Sequence, residues 1–199
     1  NGWYVCYPDG VPAGRFGDWK TGLDAFWRAD VAREFSAAEE ADFQQRMAQA
    51  AAQRDAERER TRQQASEVVD AIWASCAAAP DDHPYLLRKG VQAHGARVTG
   101  DGQRLVLPLY TGDGELASLQ YISADGSKMY HPGGRTGGCF GVVGEMVPGA
   151  PLYFAEGFAS AASVHKATGA ACVMAYSASN LPQVVGHWRE RLGVAADLV

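Results

Sequence analysis

Glu156 is the residue with the clearest chemical potential. It follows the apolar run Leu152-Tyr153-Phe154-Ala155 and precedes Gly157 and a helix-forming stretch. In an open sheet of parallel strands, ligands bind beyond the carboxyl ends of the strands. The pattern puts Glu156 at such an end. Gly157 lets the chain turn sharply and leaves room for a phosphate or a metal. Ser177, Ser179 and Asn180 follow the next apolar run and reach the same edge. Two readings of Glu156 stand side by side on this pattern. A carboxylate there can hold a divalent cation or accept a proton. A negative charge at a helix N-terminus is also stabilised with no chemistry attached.

The candidate partners of that carboxylate are cations. Arg135 is the best placed, because four glycines flank it in Gly133-Gly134-Arg135-Thr136-Gly137-Gly138 and bare backbone leaves an anion space to approach. The run lacks the Gly-Lys-Ser/Thr ending of a P-loop, so it does not support an ATPase. Lys128, Arg88 and Lys89 are other cations in the stretches before it. For each of them a solvated surface position is the simpler reading. Arg54, Arg58 and Arg62 form a stripe at four-residue spacing that could touch phosphates, against the same simpler reading. His83, His94, His131, His165 and His187 are scattered, with no His-Glu-x-x-His pattern. Of Cys6, Cys76, Cys139 and Cys172, no two lie within four residues of each other, so no zinc site is expected. Cys139 has no adjacent His to activate it as a nucleophile. Trp3, Trp19 and Trp27 could stack on unpaired bases, or fill the core of a small β module.

These residues need elements to hold them. Residues 1–34 predict a β module: 3–7 favour a strand, Pro8-Asp9-Gly10 has turn chemistry, and 11–15 can return. Residues 36–79 predict one long helix, opened by a capping box of Ser36 and Glu39 and uninterrupted by Gly or Pro until Pro80. Its middle, 53–64, is polar all round and carries the acid-first pairs Asp55–Arg58, Glu57–Arg60 and Glu59–Arg62. Residues 104–110, 115–123 and 128–130 predict an antiparallel meander with turns at 111–114 and 124–127, and 139–143 predict a further short strand. After Pro148 the rhythm changes to strand 152–155, helix 158–167, strand 171–176, helix 181–192 and a strand opening at 195. That alternation predicts a parallel sheet with crossover helices. The fold class expected is α+β. Its parts are an N-terminal β module (1–34), a long connecting helix (35–79), a mixed antiparallel subdomain (80–149) and an α/β domain (150–199).

Composition narrows the function classes. The 199 residues are 47% hydrophobic and 21% charged, a globular balance. The apolar runs are too short to cross a bilayer, and no signal segment is recognised, so a cytoplasmic, reducing setting with no membrane partner is expected. The formal net charge is −5. A protein holding duplex DNA by bulk charge would be basic, so any nucleic-acid contact must come from a local patch or a metal.

Read together, the motifs resemble a family. Leu152-Tyr153-Phe154-Ala155-Glu156-Gly157 resembles the first motif of Toprim domains, found in primases, topoisomerases and some nucleases. The stretch from Gly114 through Ser127-Lys128-Met129-Tyr130 to Gly144 resembles the segment before Toprim in DnaG-type primases, where a basic residue lies beside the catalytic centre. The Toprim primases of conjugative plasmids and integrative elements, the TraC-like group, are closest. Their pattern is similar to His83-Pro84-Tyr85-Leu86-Leu87-Arg88-Lys89-Gly90-Val91, to Pro132-Gly133-Gly134-Arg135 with Gly138-Cys139, and to Glu156-Gly157-Phe158-Ala159-Ser160-Ala161-Ala162. Gly2-Trp3-Tyr4-Val5 resembles the region before that core. The similarity covers most of the chain except the long helix.

The resemblance implies a DNA primase. Such an enzyme joins nucleoside triphosphates into short RNA primers on a single-stranded DNA template, for replication or transfer of a mobile element such as a plasmid or phage, with a replicative helicase as a candidate partner. It implies Mg²⁺, with Mn²⁺ as a substitute, and no zinc in this segment. Glu156 would be metal ligand or proton acceptor, and Lys128 would act beside it. Arg88, Lys89, Arg135, Gly157 and Asn180 would meet nucleotide or DNA. There are two departures. No Asp-x-Asp follows Glu156, and the expectation is that it lies past Val199, as further residues are expected before Asn1. A zinc module like that of DnaG-type primases is also absent. Two alternatives share these features: a Toprim nuclease using the same acidic site, and a non-catalytic module that binds single-stranded DNA or a helicase.

Overall fold

The computed structural model describes residues 2–8, 11–18, 21–30 and 36–199. They divide into two compact units, residues 1–53 and 54–199, with the division inside the long helix.

The first unit is a three-stranded antiparallel sheet with the opening turns of that helix. Strands β1 (Gly2–Tyr7), β2 (Ala13–Asp18) and β3 (Leu23–Arg28) lie in sequence order. The return strand therefore begins two residues later than expected and runs to Asp18, and β3 was not foreseen. Asp9 and Gly10 of the expected turn, and Trp19, lie outside the described residues. The register sets Tyr4 opposite Phe16 and Phe16 opposite Ala25. Gly17 faces Trp3, and a Cβ there would lie 2.7 Å from the indole. Helix α1 (Ala37–Ser75) starts with the expected capping box. The Ser36 hydroxyl accepts from the Glu39 N–H at 3.3 Å, and the Glu39 carboxylate accepts from the Ser36 N–H at 2.9 Å. Phe26 meets Phe43 edge to face at 6.1 Å, and Arg28 donates to Glu40 at 2.7 Å, fixing sheet to helix within this unit.

In the second unit, the polar middle of α1 carries the expected ion pairs: Asp55–Arg58 at 3.6 Å, Glu57–Arg60 at 2.7 Å and Glu59–Arg62 at 3.4 Å. The helix was expected to reach residue 79 but ends at Ser75. Its last turn tightens, with the Cys76 N–H shared between the Ile72 and Trp73 carbonyls. Arg97 donates to the Trp73 carbonyl and lies 4.2 Å from the centre of the Trp73 ring. Strand β4 (Ala77–Ala78) then pairs with a strand the sequence did not announce, β5 (Arg97–Val98). Between them lies a short helix, also unannounced, α2 (Pro84–Lys89).

The expected meander is present as β6 (Arg104–Tyr110), β7 (Leu116–Ser123) and β8 (Lys128–Tyr130), completing an antiparallel sheet in the order β4-β5-β6-β7-β8. The last sheet holds β9 (Gly141–Val143), β10 (Tyr153–Ala155) and β11 (Cys172–Met174), in the order β10-β11-β9, with α3 (Phe158–Thr168) and α4 (Leu181–Leu192) following β10 and β11. Strands β10 and β11 are parallel, as the alternation of elements predicts, whereas β9 pairs antiparallel with β11. Residues 197–199 add a parallel bridge between Leu152 and Leu198, with the Phe154 N–H donating to the Val199 carbonyl at 2.8 Å. Most strand pairs in the chain are antiparallel, so a full parallel sheet is not what these residues build. The described architecture is α+β.

One core joins the meander to the last sheet: Leu105, Leu107 and Ile122 pack with Phe158, Ala162 and Cys172. On the other face of the meander, Val69, Ile72 and Trp73 of α1 cover Val106, Leu119 and Tyr121. Lys128 of β8 and the carboxylate after β10 thus belong to one packed body.

Candidate active site

Short α2 brings the first two cations. His83 is its N-cap: Nδ1 accepts from the Tyr85 N–H at 3.2 Å, Pro84 occupies the first turn, and Gly90 closes the helix at φ +64°. Arg88 and Lys89 fall in the last turn, where the helix dipole favours positive charge. Lys128 comes from β8, pinned opposite Ile122. Glu156 and Gly157 occupy the turn between β10 and α3, with Gly157 as N-cap at φ −143°. The Glu156 carboxylate is exposed and takes no hydrogen bond from a described residue, so it is not spent on capping α3.

These residues share one cleft of about 480 Å³, lined by Arg88, Lys89, Lys128, Glu156 and Gly157 together with Tyr85 and Asp125. Two glycines admit the cations. A Cβ on Gly157 would stand 3.1 Å from the Lys128 ammonium, and a Cβ on Gly126 would stand 2.6 Å from Nη2 of Arg88. Gly126 also has φ +87°, where a side chain is strained. Tyr85, Asp125, Gly126 and Ser160 are cleft residues that sequence reasoning missed. The turn signal at 124–127 was legible, but its packing against α2 depends on an element that sequence reasoning did not foresee.

Two residues along from Lys128, strand β8 is tied to the residues after β11 through two tyrosines. The Tyr130 hydroxyl donates to the Tyr176 carbonyl at 2.9 Å, and the Tyr176 hydroxyl donates to the Pro108 carbonyl at 2.6 Å. Tyr176 sits at φ +65°, a costly conformation for a bulky residue, held by these bonds. Burial pushes the Tyr130 phenol up, and the nearby Glu156 carboxylate adds to the shift. Hydrogen bonds from the Ser127 N–H, then from its hydroxyl, hold the Asp125 carboxyl below the ordinary range.

Arg135 and Asn180 stand outside the cleft lining. Arg135 is exposed and donates to the Gly137 carbonyl at 3.1 Å. Asn180 is buried and its amide is used internally. It accepts from the Gly138 N–H at 2.7 Å and donates to the Cys139 and Ala175 carbonyls at 2.9 and 2.8 Å, clamping the glycine loop to the end of β11. Cys139 and Cys172 are buried thiols, and burial pushes Cys172 up to about 11.

The cleft gathers the cations Arg88, Lys89 and Lys128 around one available carboxylate, Glu156. Among the described residues no group of three or more His, Cys, Asp or Glu side chains converges to hold a metal. A hard divalent cation takes several oxygen ligands. Glu156 supplies one, and Asp125 is engaged by Ser127. The residues present do not by themselves make an Mg²⁺ or Mn²⁺ site.

Two Escherichia coli proteins, both named DNA primase TraC, align with this chain over 188 residues at 36% and 35% identity, covering 92% of the chain. The chain is homologous to a segment of TraC. It spans 18% of the length of one relative and 13% of the other. No family model matches the chain. No solved structure matches it. An alignment covering 92% of the chain extends beyond the cleft-lining turns around Arg88, Lys128 and Glu156 to the elements that carry them. No helix among the described residues is long and apolar enough to cross a membrane.

Proposed function

We propose that this chain is the phosphate-handling core of a DNA primase. In this reading it gathers a nucleoside triphosphate and a single-stranded DNA template at the Glu156 cleft for synthesis of short RNA primers. The observation that carries the reading is the convergence of Arg88, Lys89 and Lys128 on Glu156, with the close approach of two cations to glycines, in a chain homologous to part of TraC. Phosphoryl transfer asks the protein mainly for positioning and charge stabilisation. Arg88 offers a planar fork to phosphate oxygens and Lys128 a point charge. Glu156, unspent on capping, is free to accept the proton of an attacking hydroxyl. The Toprim reading is supported by the order β10, Glu156-Gly157, α3, parallel β11 and by the pairing of residues 197–199 beside β10. Metal dependence on Mg²⁺ or Mn²⁺ belongs to the same reading but needs carboxylates beyond Glu156, so no step is routed through a metal.

The test replaces the matched segment of TraC with this chain and measures primer synthesis from labelled ribonucleotides on single-stranded DNA. Primers are expected from the chimera and none from its Glu156→Gln form. Equal activity of the two forms sinks the reading. In the chain itself, Arg88→Gln with Lys128→Gln should weaken binding of a fluorescent triphosphate at least about tenfold, as loss of two charge-assisted bonds implies.

A further inference from the structure

A second groove lies along α1, lined by Arg54, Arg58 and Arg62 on one wall and by the backbone of Gly133 and Gly134 on the other, with a volume of about 540 Å³. Four residues of helix advance about 6 Å, so the three guanidinium groups are strung over about 12 Å. That interval is close to the separation of successive phosphates in an extended single strand. Glycine is required on the opposite wall. A Cβ on Gly133 would stand 3.0 Å from the Thr61 methyl, at φ +76°, and a Cβ on Gly134 would run into the Ser118 hydroxyl. At Gly133 and Gly134 the loop lies close to the helix and presents only backbone to the arginines.

Two of these charges, those of Arg58 and Arg62, can be taken up by a ligand. Arg58 and Arg62 have acidic neighbours only at 3.6 and 3.4 Å, in exposed pairs, and such pairs contribute little and exchange readily. Glu57, the carboxylate in the lining, is held by Arg60 at 2.7 Å. Arg135, on the same glycine loop, extends the positive field. Its charge and that of Arg62 both act on the buried Cys139 thiol against the upward push of burial. Past Pro132 the wall continues into a second hollow where Arg104 lies 5.2 Å from the centre of the Tyr121 ring, beside exposed Met129. A cationic run leading to an aromatic and apolar hollow is the arrangement that tracks unpaired nucleic acid.

We propose that the Arg54-Arg58-Arg62 groove is a second nucleic-acid site, one that holds the phosphate backbone of a single strand on the face of the meander covered by α1. The identity of the strand as template rests on the primase reading; the anion site itself does not. The test is fluorescence anisotropy of a labelled single-stranded oligonucleotide against the whole chain, over a salt series. The Arg54→Gln, Arg58→Gln, Arg62→Gln triple variant should bind about tenfold more weakly. The slope of log affinity against log salt should fall by about 2, as loss of three phosphate contacts implies at ~0.7 each. Binding of a fluorescent triphosphate should be unchanged. The corresponding triple Lys variant should keep the wild-type slope. Gln has a helix propensity close to that of Arg, and circular dichroism checks that α1 persists. Unchanged strand affinity and slope in the Gln triple, with strand binding lost instead in Arg88→Gln with Lys128→Gln, overturns the groove and leaves the cleft reading standing. Strand binding lost in the Gln triple with triphosphate binding intact supports the groove. Absence of strand binding by the wild-type chain at low salt overturns both.

Discussion

The two antiparallel sheets of this chain are built alike and used differently. Both run through neighbouring strands in sequence order. In the first unit, β1 alternates exposed and half-buried residues, and Tyr4, Phe16 and Trp27 share a face that is 79%, 45% and 50% exposed at those positions. In the second unit, seven of the eight residues of β7 are buried. A β-bulge where β7 pairs with Tyr110 lets Leu116 join Leu119 and Tyr121 under α1, while Ile122 faces the main core. A strand covered on both faces by different chemistry cannot slip register without placing Ser118 and Gln120 where Leu119 and Tyr121 belong. Edge strand β8 inherits that fixity, although its own residues are exposed. Lys128 is therefore held opposite Ile122 by a strand that has nowhere else to go. The candidate chemistry sits at the edge of the sheet that is buried on both faces.

The largest test of that contrast is a pair of truncations. Leu119 is fully buried, and Leu119→Ala should cost about 2–5 kcal/mol, the range for a buried leucine that leaves a cavity. Tyr4→Ser, on the open face of the other sheet, should change stability by no more than about 0.5 kcal/mol. Urea denaturation of both variants decides the matter. Equal losses would mean that the Tyr4 face is covered in solution.

A sharper comparison uses two glycines with the same backbone. Gly114 and Gly126 both have φ +87°, but a Cβ on Gly114 meets nothing within 4 Å, whereas one on Gly126 meets Nη2 of Arg88 at 2.6 Å. Alanine at either site should cost about 1–2 kcal/mol of backbone strain. Only Gly126→Ala should also weaken triphosphate binding, because it pushes the guanidinium out of the cleft. If Gly114→Ala weakens binding as much, the approach of Arg88 is not what Gly126 provides. The corresponding test in the first unit is its capping box. Ser36→Ala should lower stability by about 1 kcal/mol, read from thermal unfolding, and leave triphosphate binding unchanged.

Much of this was legible before the structure. The capping box, the three ion pairs of α1, the meander boundaries, and the placing of Glu156 between a strand and a helix followed from spacing and turn chemistry. Helix α4 spans the residues 181–192 that its pattern predicts. What escaped were short elements whose cause is tertiary. Helix α2 has only 6 residues, below the length at which periodicity shows, and it exists because His83 and Gly90 cap it and Tyr85 and Leu86 are buried. Strands β4 and β5 are 2 residues each, defined by pairing rather than by composition. The same limit applies at the site. Glu156 and Lys128 could be named from sequence, but Tyr85, Asp125 and Gly126 enter the cleft only because α2 folds against the 124–127 turn. Asn180 looked like a ligand for bound phosphate, yet its amide closes a buried junction. A polar residue after a strand serves either purpose, and sequence spacing does not distinguish them.

The smallest expected effect is electrostatic and lies away from the cleft. His94 meets His165 edge to face at 5.2 Å, and His165 is itself bonded through Nδ1 to the Ala170 carbonyl at 2.8 Å. Burial, and then the neighbouring His165, pull the His94 pKa down, with a smaller opposing pull from Asp81. A histidine whose folded pKa is depressed binds fewer protons folded than unfolded. Its contribution is therefore fully present above the unfolded value near 6.5 and is lost as pH falls through the folded value. The backbone at His94 is at φ +44°, a conformation that Asn tolerates. His94→Asn should thus melt close to wild type at pH 8 and lose less stability than wild type between pH 7 and pH 5. Parallel acid slopes for the two proteins would show that the His94–His165 contact carries no charge penalty.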